Sequence, residues 1–338
     1  MLHVAEAARV SVATVSAVVN GTGVVSPQLT ARIQRAIREI GYKRNAIARS
    51  LKMGTTRTIG LMVADITNPF FTDVVAVIQD VLHHAGYAVM LCSSDEDIET
   101  QDNQIRLLLD RMVDGLIIAP TGDDANLKRI LEGTNIPVVL IDRICGDFET
   151  DAVVVDNQPA VHDAIAHLLS LGHRRIGYIS GPLDTSTGRE RLAGYRSALN
   201  AGGIPADDHL VCFGNYREAD AYAVTMRLLE PADRPTAIFS ANNLMVVGAM
   251  KAIRDLGLAC PDDISVACFD DFPWADVFRP HLTVIAQPVR AIGEQAATLI
   301  LDRLSGEAGG VPRRLVMQGR LIARESCRSL GNAKQRST

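Results

Sequence analysis

The chain has 338 residues, 47% hydrophobic and 22% charged, with a formal net charge of -5. That excludes a disordered chain, leaves room for a small domain plus two of ordinary size, and contains no apolar run near the roughly 18 residues of a membrane span. Six cysteines (Cys92, Cys145, Cys212, Cys260, Cys268 and Cys327) show no CxxC and no paired spacing, so they read as reduced thiols of a cytoplasmic protein lacking a secretory leader.

Residues 2–20, LHVAEAARVSVATVSAVVN, hold two short apolar-periodic segments around the break Arg9-Val10-Ser11. The first helix places Val4, Ala7 and Ala8 on one face; the second opens at Ser11, a natural cap, and turns Val15, Val18 and Val19 inward. Helices this short need a lid. Ser26-Pro27 starts it, Leu29, Ile33, Ile37 and Ile40 repeat at helical spacing, and Gly41 ends it. This is a helix-turn-helix pattern, a module for the DNA major groove. Charge agrees: residues 1–57 carry nine basic residues against Glu6 and Glu39, a formal +7, which leaves -12 on the rest.

After Gly54-Thr55-Thr56 the pattern becomes alternating apolar strands and amphipathic helices, a parallel α/β signature. Strands read at 58–65, 87–93, 115–120, 137–142 and 152–156, with helices at 70–85, 100–111 and 125–132; RIGYIS, LVCFG, TAIFSAN and DISVACFD form a second set. Two doubly wound parallel sheets predict two domains with a cleft between them, and ligands in such sheets sit beyond the carboxyl ends of the strands. No GxGxxG follows the first strand and no GxxxxGK[ST] occurs, so neither a nucleotide cradle nor any other cofactor is expected. The strand-end rule selects Asn68, Phe70, Phe71, Arg143, the run Asp184 to Arg191, Tyr216, Asn242-Asn243, Asp270 and Trp274.

VAEAARVSVATVSAVVNG followed by GYKRNAIARSLKMGTTRTIGLMVADITNPFF resembles the head, hinge and first core strand of the LacI/GalR family of bacterial transcription regulators. The resemblance runs to about residue 328 through VDN (155–157), LGHRRIGYISGP (171–182), RLAGYRSAL (191–199), FSANNLMVVGAM (239–250) and FDDFPWADVFRPHLTVIAQP (269–288). It implies a core of periplasmic-binding-protein type and these boundaries: head 1–44, hinge helix and linker 45–57, core N-subdomain 58–155 plus 288–316, core C-subdomain 156–287 plus 317–330, tail 331–338. The first helix starts so early that the family pattern implies either missing leading residues or a misassigned start codon.

By resemblance, Val12, Ala13 and Ala17 form the base-reading face of the recognition helix, with Ser11, Thr14, Ser16 and Asn20 beside them. Ala17 departs from the arginine common in the family, removing a bidentate guanine contact and shifting readout toward thymine methyls and DNA shape. Arg9 replaces the usual turn glycine, at about 1 kcal/mol if its backbone is left-handed; a phosphate contact would offset it. Asn45 to Lys52 resembles the hinge helix that forms on operator DNA, with Leu51 as its minor-groove wedge and Asn45 and Lys52 at the DNA. The resemblance implies a homodimer on a near-palindromic operator, controlled by a small-molecule effector. The tail lacks the leucine heptads of the family's tetramer-forming members.

Phe70, Thr185, Thr187, Arg191, Tyr216 and Asp270 align with the effector site of the family's purine-binding branch. The chemistry suits a polyol better: Phe70, Tyr216 or Trp274 to cover a sugar ring, and Arg143, Arg191, Asn243 and Asp270 for its hydroxyls. Thr185 stands where the purine branch has a basic residue, and two arginines leave a sugar acid or phosphate open. Two other readings are weaker. Catalysis or a metal site would have to use Asp123-Asp124, Asp262-Asp263, Asp270-Asp271 or His162 with His167, whose spacings give no shared face. A solute-binding protein would leave the basic head unexplained.

Overall fold

A computed structural model describes residues 1–42, 54–122, 125–146, 148–275, 277–306 and 309–331. The chain forms two units, a head, Met1–Thr56, and a core, Arg57–Thr338. No described helix is long and apolar enough to cross a membrane.

The head holds α1 (Leu2–Ala7), α2 (Val12–Asn20) and α3 (Pro27–Ile40). Ser11 Oγ accepts the Thr14 N–H at 3.1 Å and starts α2; Ser26 and Pro27 start α3; Gly21 and Gly41, at φ 67 and 64, end the two helices. Val4, Ala5, Ala8, Val15, Ile33 and Ala36 form the head's core. Three residues differ from the periodic reading. Ala5 is buried and Ala7 exposed, because the six-residue α1 packs against both α2 and α3 and so buries adjacent positions. Ile40 is 42% exposed. The chain turns back at Gly41, Tyr42 donates its N–H to the Ile37 carbonyl at 3.0 Å, and Tyr42 packs on the core in its stead.

In the core, β1 (Thr58–Val63), β2 (Ala88–Ser93), β3 (Gly115–Ile118), β4 (Val138–Asp142), β5 (Asp151–Val155) and β11 (Arg314–Met317) form one parallel sheet in the order β11-β5-β4-β3-β1-β2. The second sheet runs β12-β10-β9-β8-β6-β7, from β6 (Ile176–Ser180), β7 (Val211–Phe213), β8 (Ala237–Ser240), β9 (Ser265–Phe269), β10 (Thr283–Ala286) and β12 (Arg320–Ile322). It is parallel except for β12, which pairs antiparallel with β10. The helices are α4 (Pro69–His84), α5 (Ile98–Asp110), α6 (Ala125–Leu131), α7 (Asn157–Ser170), α8 (Ser186–Ala201), α9 (Glu218–Leu229), α10 (Asn243–Asp255) and α11 (Val289–Ser305).

The central strands of both sheets are fully buried and largely apolar, such as VVLI before Asp142 in β4 and VACF after Ser265 in β9, as expected when helices cover both faces. The chain passes between the sheets three times: after β5, after β10 and between β11 and β12. α7 packs with α8 and the second sheet, whereas α11 returns to pack on α4 and on β3, β4 and β5 of the first. Met317 still pairs with Val155, so the returning segment of the first sheet runs one residue past the expected 316, to the end of its strand.

Candidate functional site

On the head, the outward surface of α2 begins with Ser11, Val12 and Ala13, all exposed; Val12 is an exposed apolar side chain at the helix start while Val15, one turn on, is fully buried. Ser11 Oγ, already capping the helix, shares a 2.8 Å hydrogen bond with Thr14 Oγ1. Asn20 Nδ2 donates to Ser16 Oγ at 3.0 Å. Ala17 is half-buried. Arg9 has φ 49, so the left-handed turn exists without glycine, and its side chain is exposed, as are those of Arg32, Arg35 and Arg38 on α3. Asn45, Leu51 and Lys52 lie outside the described residues.

In the core, the carboxyl ends of the two sheets face each other. Asn243 Nδ2, at the start of α10, donates to Asn68 Oδ1, before α4, at 2.9 Å. Ser186 Oγ accepts the Ile144 N–H at 3.1 Å, and Arg217 donates to the Asp95 carbonyl at 2.8 Å. Of the residues selected by the strand-end rule as effector contacts, Asn68, Phe70, Phe71, Arg143, Thr185, Thr187, Arg191, Tyr216, Asn243 and Asp270 are all 6% exposed or less. Trp274 is 45% exposed and packs edge-on against Phe272.

Two arginines organise this cluster. Arg143 donates Nη1 and Nη2 to the two oxygens of Glu96 at 2.7 and 2.6 Å, its Nε lies 3.3 Å from Asp142 Oδ2, and its guanidinium sits 5.1 Å from the Tyr216 ring. Arg191 donates Nε to Asn157 Oδ1 at 2.8 Å and Nη1 to the Ala241 carbonyl at 2.7 Å, lies on the Phe269 ring at 3.6 Å, and brings Nη2 to 3.9 Å from Asp142. Tyr216 Oη and Thr187 Oγ1 are 3.0 Å apart. Asp270 accepts from Gln287 Nε2 at 2.6 Å. Thr185 is committed to its own helix: its hydroxyl accepts the Gly188 N–H at 3.0 Å and donates to the Pro182 carbonyl at 2.8 Å.

Three strand-end bends aim these groups. Asp142, Tyr216 and Asp270 have φ of 64, 57 and 75. Non-glycine residues in the left-handed region store strain, and their concentration where a sheet ends is a mark of a ligand site. Burial pushes the carboxyls of both Asp142 and Asp270 above the ordinary aspartate range; Arg143 and Arg191 oppose this at Asp142, as do Arg191 and the Gln287 amide at Asp270. Burial works against the Arg143 charge, but Glu96 and then Asp142 hold its pKa above the ordinary arginine value. Two acceptor oxygens inside the cluster, Asn243 Oδ1 and Gln287 Oε1, have no hydrogen-bond partner. A buried unpaired acceptor costs roughly 1–3 kcal/mol, which a hydroxyl donor from a ligand would recover.

Sequence reasoning missed Glu96, Asp142, Asn157 and Gln287. Asp142 is the last residue of β4 and Glu96 follows β2 by three residues, so both satisfy the same strand-end rule, but neither was selected. Asn157 and Gln287 stand at passages between the sheets, and Gln287 follows β10, a four-residue strand that the periodicity does not reveal. The weaker catalytic constellations do not assemble: Asp270 faces Gln287 while Asp271 pairs with Arg324 at 2.7 Å, and His162 meets Ser197 at 3.3 Å. Asp123 and Asp124 lie outside the described residues. Among the described residues no group of three His, Cys, Asp or Glu is placed to hold a metal.

Residues 1–45 match the bacterial regulatory proteins of the lacI family, and residues 165–327 match the periplasmic binding protein-like domain. The chain is 34% identical over 302 residues to the HTH-type transcriptional repressor PurR of Vibrio atlanticus, covering 89% of this chain and 90% of that one. Among solved structures it is similar to the transcriptional regulator CelR in complex with cellobiose, at 32% identity over 96% of this chain and 98% of that one, with a TM-score of 0.74. It is also similar to the lac repressor dimer bound to operator and the anti-inducer ONPF, at 28% identity over 97% and 99%, with a TM-score of 0.85.

Proposed function

The chain belongs to the lacI family of bacterial regulatory proteins and is a DNA-binding regulator of transcription, and from that premise we propose that it is a homodimeric repressor whose operator affinity responds to a small polyol bound in the core cleft. The observation that carries the effector reading is the buried cluster in which unpartnered Asn243 Oδ1 and Gln287 Oε1 stand beside Asp270, among strand-end residues of both sheets. Such a site asks for a ligand rich in hydroxyl donors. A sugar supplies them, together with an apolar ring face for Phe70 or Tyr216. The cellobiose bound by the similar regulator is of the same chemical class.

The proposed division of labour follows the chain. The head, 1–44, reads the major groove through Ser11, Val12, Ala13, Thr14, Ser16, Ala17 and Asn20, and the segment 45–57 reaches the minor groove with Asn45, Leu51 and Lys52. The core N-subdomain comprises 58–155 with the returning strand β11, and the C-subdomain comprises 156–287 with β12. Effector contacts come from Asn68, Phe70, Phe71, Arg143, Thr187, Arg191, Tyr216, Asn243, Asp270, Asp142 and Gln287, with Thr185 holding the start of α8. Trp274 serves as rim rather than ring cover, consistent with its exposure. The ligand must bind one angle between the subdomains better than another, since equal affinity shifts nothing.

Selection of binding sites from random duplexes by the full-length protein tests the DNA half of this reading. The expected pool contains two inverted half-sites at fixed spacing. A pool without an inverted repeat would overturn the twofold arrangement.

A further inference from the structure

Resting on that effector reading, we propose that Glu96 sets the ligand class: by closing the Arg143 fork it reserves the cleft for uncharged polyols and turns away sugar acids and sugar phosphates. A guanidinium at a strand end is the natural seat for a carboxylate or phosphate, because its paired N–H groups match two oxygens at once. Here both terminal nitrogens of Arg143 are given to Glu96, Nη1 also reaches the Pro120 carbonyl at 3.3 Å, and Nε faces Asp142. The Glu96 side chain is only 10% exposed. It is aimed inward by two successive left-handed residues, Asp95 at φ 53 and Glu96 at φ 55, which also turn Asp95 toward Arg217 at the rim.

Arg191 offers no second seat. Its Nε and Nη1 go to Asn157 and the Ala241 carbonyl, its face lies on Phe269, and Nη2 faces Asp142 at 3.9 Å, so no open fork of paired N–H groups is left. The buried charges facing one another are therefore Arg143 and Arg191 against Glu96, Asp142 and Asp270, one carboxylate more than the guanidiniums. Asn157 adds a further carboxylate behind Arg191, since its Nδ2 donates to Glu190 at 2.8 Å. An anionic ligand would be desolvated beside an excess of negative charge with no open guanidinium fork to receive it. A neutral polyol brings O–H donors for the two unpartnered acceptors, Asn243 Oδ1 and Gln287 Oε1; the cluster's one unpartnered donor, Arg143 Nε, faces Asp142 Oδ2 at 3.3 Å.

The test compares the full-length protein with Glu96→Gln, and with Glu96→Gln/Arg143→Gln as control. Each is titrated, by calorimetry and by thermal shift, with glucose, galactose, ribose and cellobiose, and with glucuronate, galacturonate, gluconate and ribose phosphate. The wild type is expected to bind at least one neutral sugar and to bind its acidic counterpart more weakly. Glu96→Gln is expected to move the ratio toward the acid by about tenfold or more, the scale of one charge-assisted hydrogen bond, and the double variant to lose that gain. Should Glu96→Gln fail to fold, the wild-type preference decides alone. Wild-type preference for the acid or phosphate would overturn the role of Glu96 while leaving the effector cleft standing. Binding of neither class by any of the proteins would overturn the effector reading, and this inference with it.

Discussion

Asp270→Asn separates ligand binding from stability. The Asp270 carboxyl is buried, receives Gln287 Nε2 at 2.6 Å, and is pushed above the ordinary aspartate value by burial, with Asp142 also raising it. A carboxylate whose folded pKa exceeds its unfolded one binds more protons in the folded state. Its contribution to stability is therefore largest at low pH and is lost as pH rises from about 4, the unfolded value, through the folded one. Asparagine keeps an oxygen for Gln287 and removes the charge, so the unliganded variant is expected to melt no lower than wild type at neutral pH and to lose part of the decline between acid and neutral pH. The effector contact behaves oppositely. A hydroxyl donating to a buried carboxylate is worth about 1.5–3 kcal/mol, so the variant should bind its polyol roughly 10- to 150-fold more weakly. Melting curves across pH and calorimetric titration read the two effects. A variant that is destabilised at neutral pH yet binds ligand at full strength would show that Asp270 supports the fold and does not contact the ligand.

Other substitutions probe the remaining supports. Asp151, 2% exposed, accepts from Arg303 at 2.8 Å and from the Arg313 backbone at 2.7 Å; burial opposes its charge, but these bonds lower its pKa on balance. Asp151→Asn should cost about 3 kcal/mol in urea unfolding, and the wild-type advantage should be present above the ordinary aspartate value and fade as pH falls through the lower folded one. Arg9→Gly relieves a φ of 49 and should stabilise the head by about 1 kcal/mol while weakening DNA binding evenly across sequences; a loss confined to one base position would contradict a phosphate role. Ala17→Arg should shift the selected half-site toward guanine at one position, and an unchanged motif would show that residue 17 does not face the bases.

How far the sequence carried the reading depended on the length and regularity of each element. Strands such as β4 and β9 are buried, apolar but for one end residue, and each follows a helix, so the pattern finds them. β10, β11 and β12 are three or four residues long, and β11 and β12 are half-exposed at sheet edges, so no period develops. In the head, capping chemistry at Ser11, Ser26 and Gly41 marked the helix ends, but the choice between Ala5 and Ala7 depended on α1 touching two neighbours at once, which a single-helix pattern does not encode. The cleft shows the same division. Position after a strand found Arg143, Arg191 and Asp270; what these residues are paired with did not follow from position. Glu96 lies 47 residues from Arg143, and Gln287 lies 17 from Asp270. Local sequence gave both arginines as open to an anion, and only the fold commits Arg143 to Glu96.

The proposed regulation requires that the cleft and the head be coupled. The most direct measurement takes the sugar identified by titration and the duplex identified by selection, and determines the affinity of the full-length protein for each in the absence and the saturating presence of the other. Linkage requires the two ratios to be the same factor, expected between about 5 and 150 for a coupling of 1–3 kcal/mol. Equal operator affinity with and without saturating sugar would contradict the claim and leave a DNA-binding protein with a ligand that controls nothing.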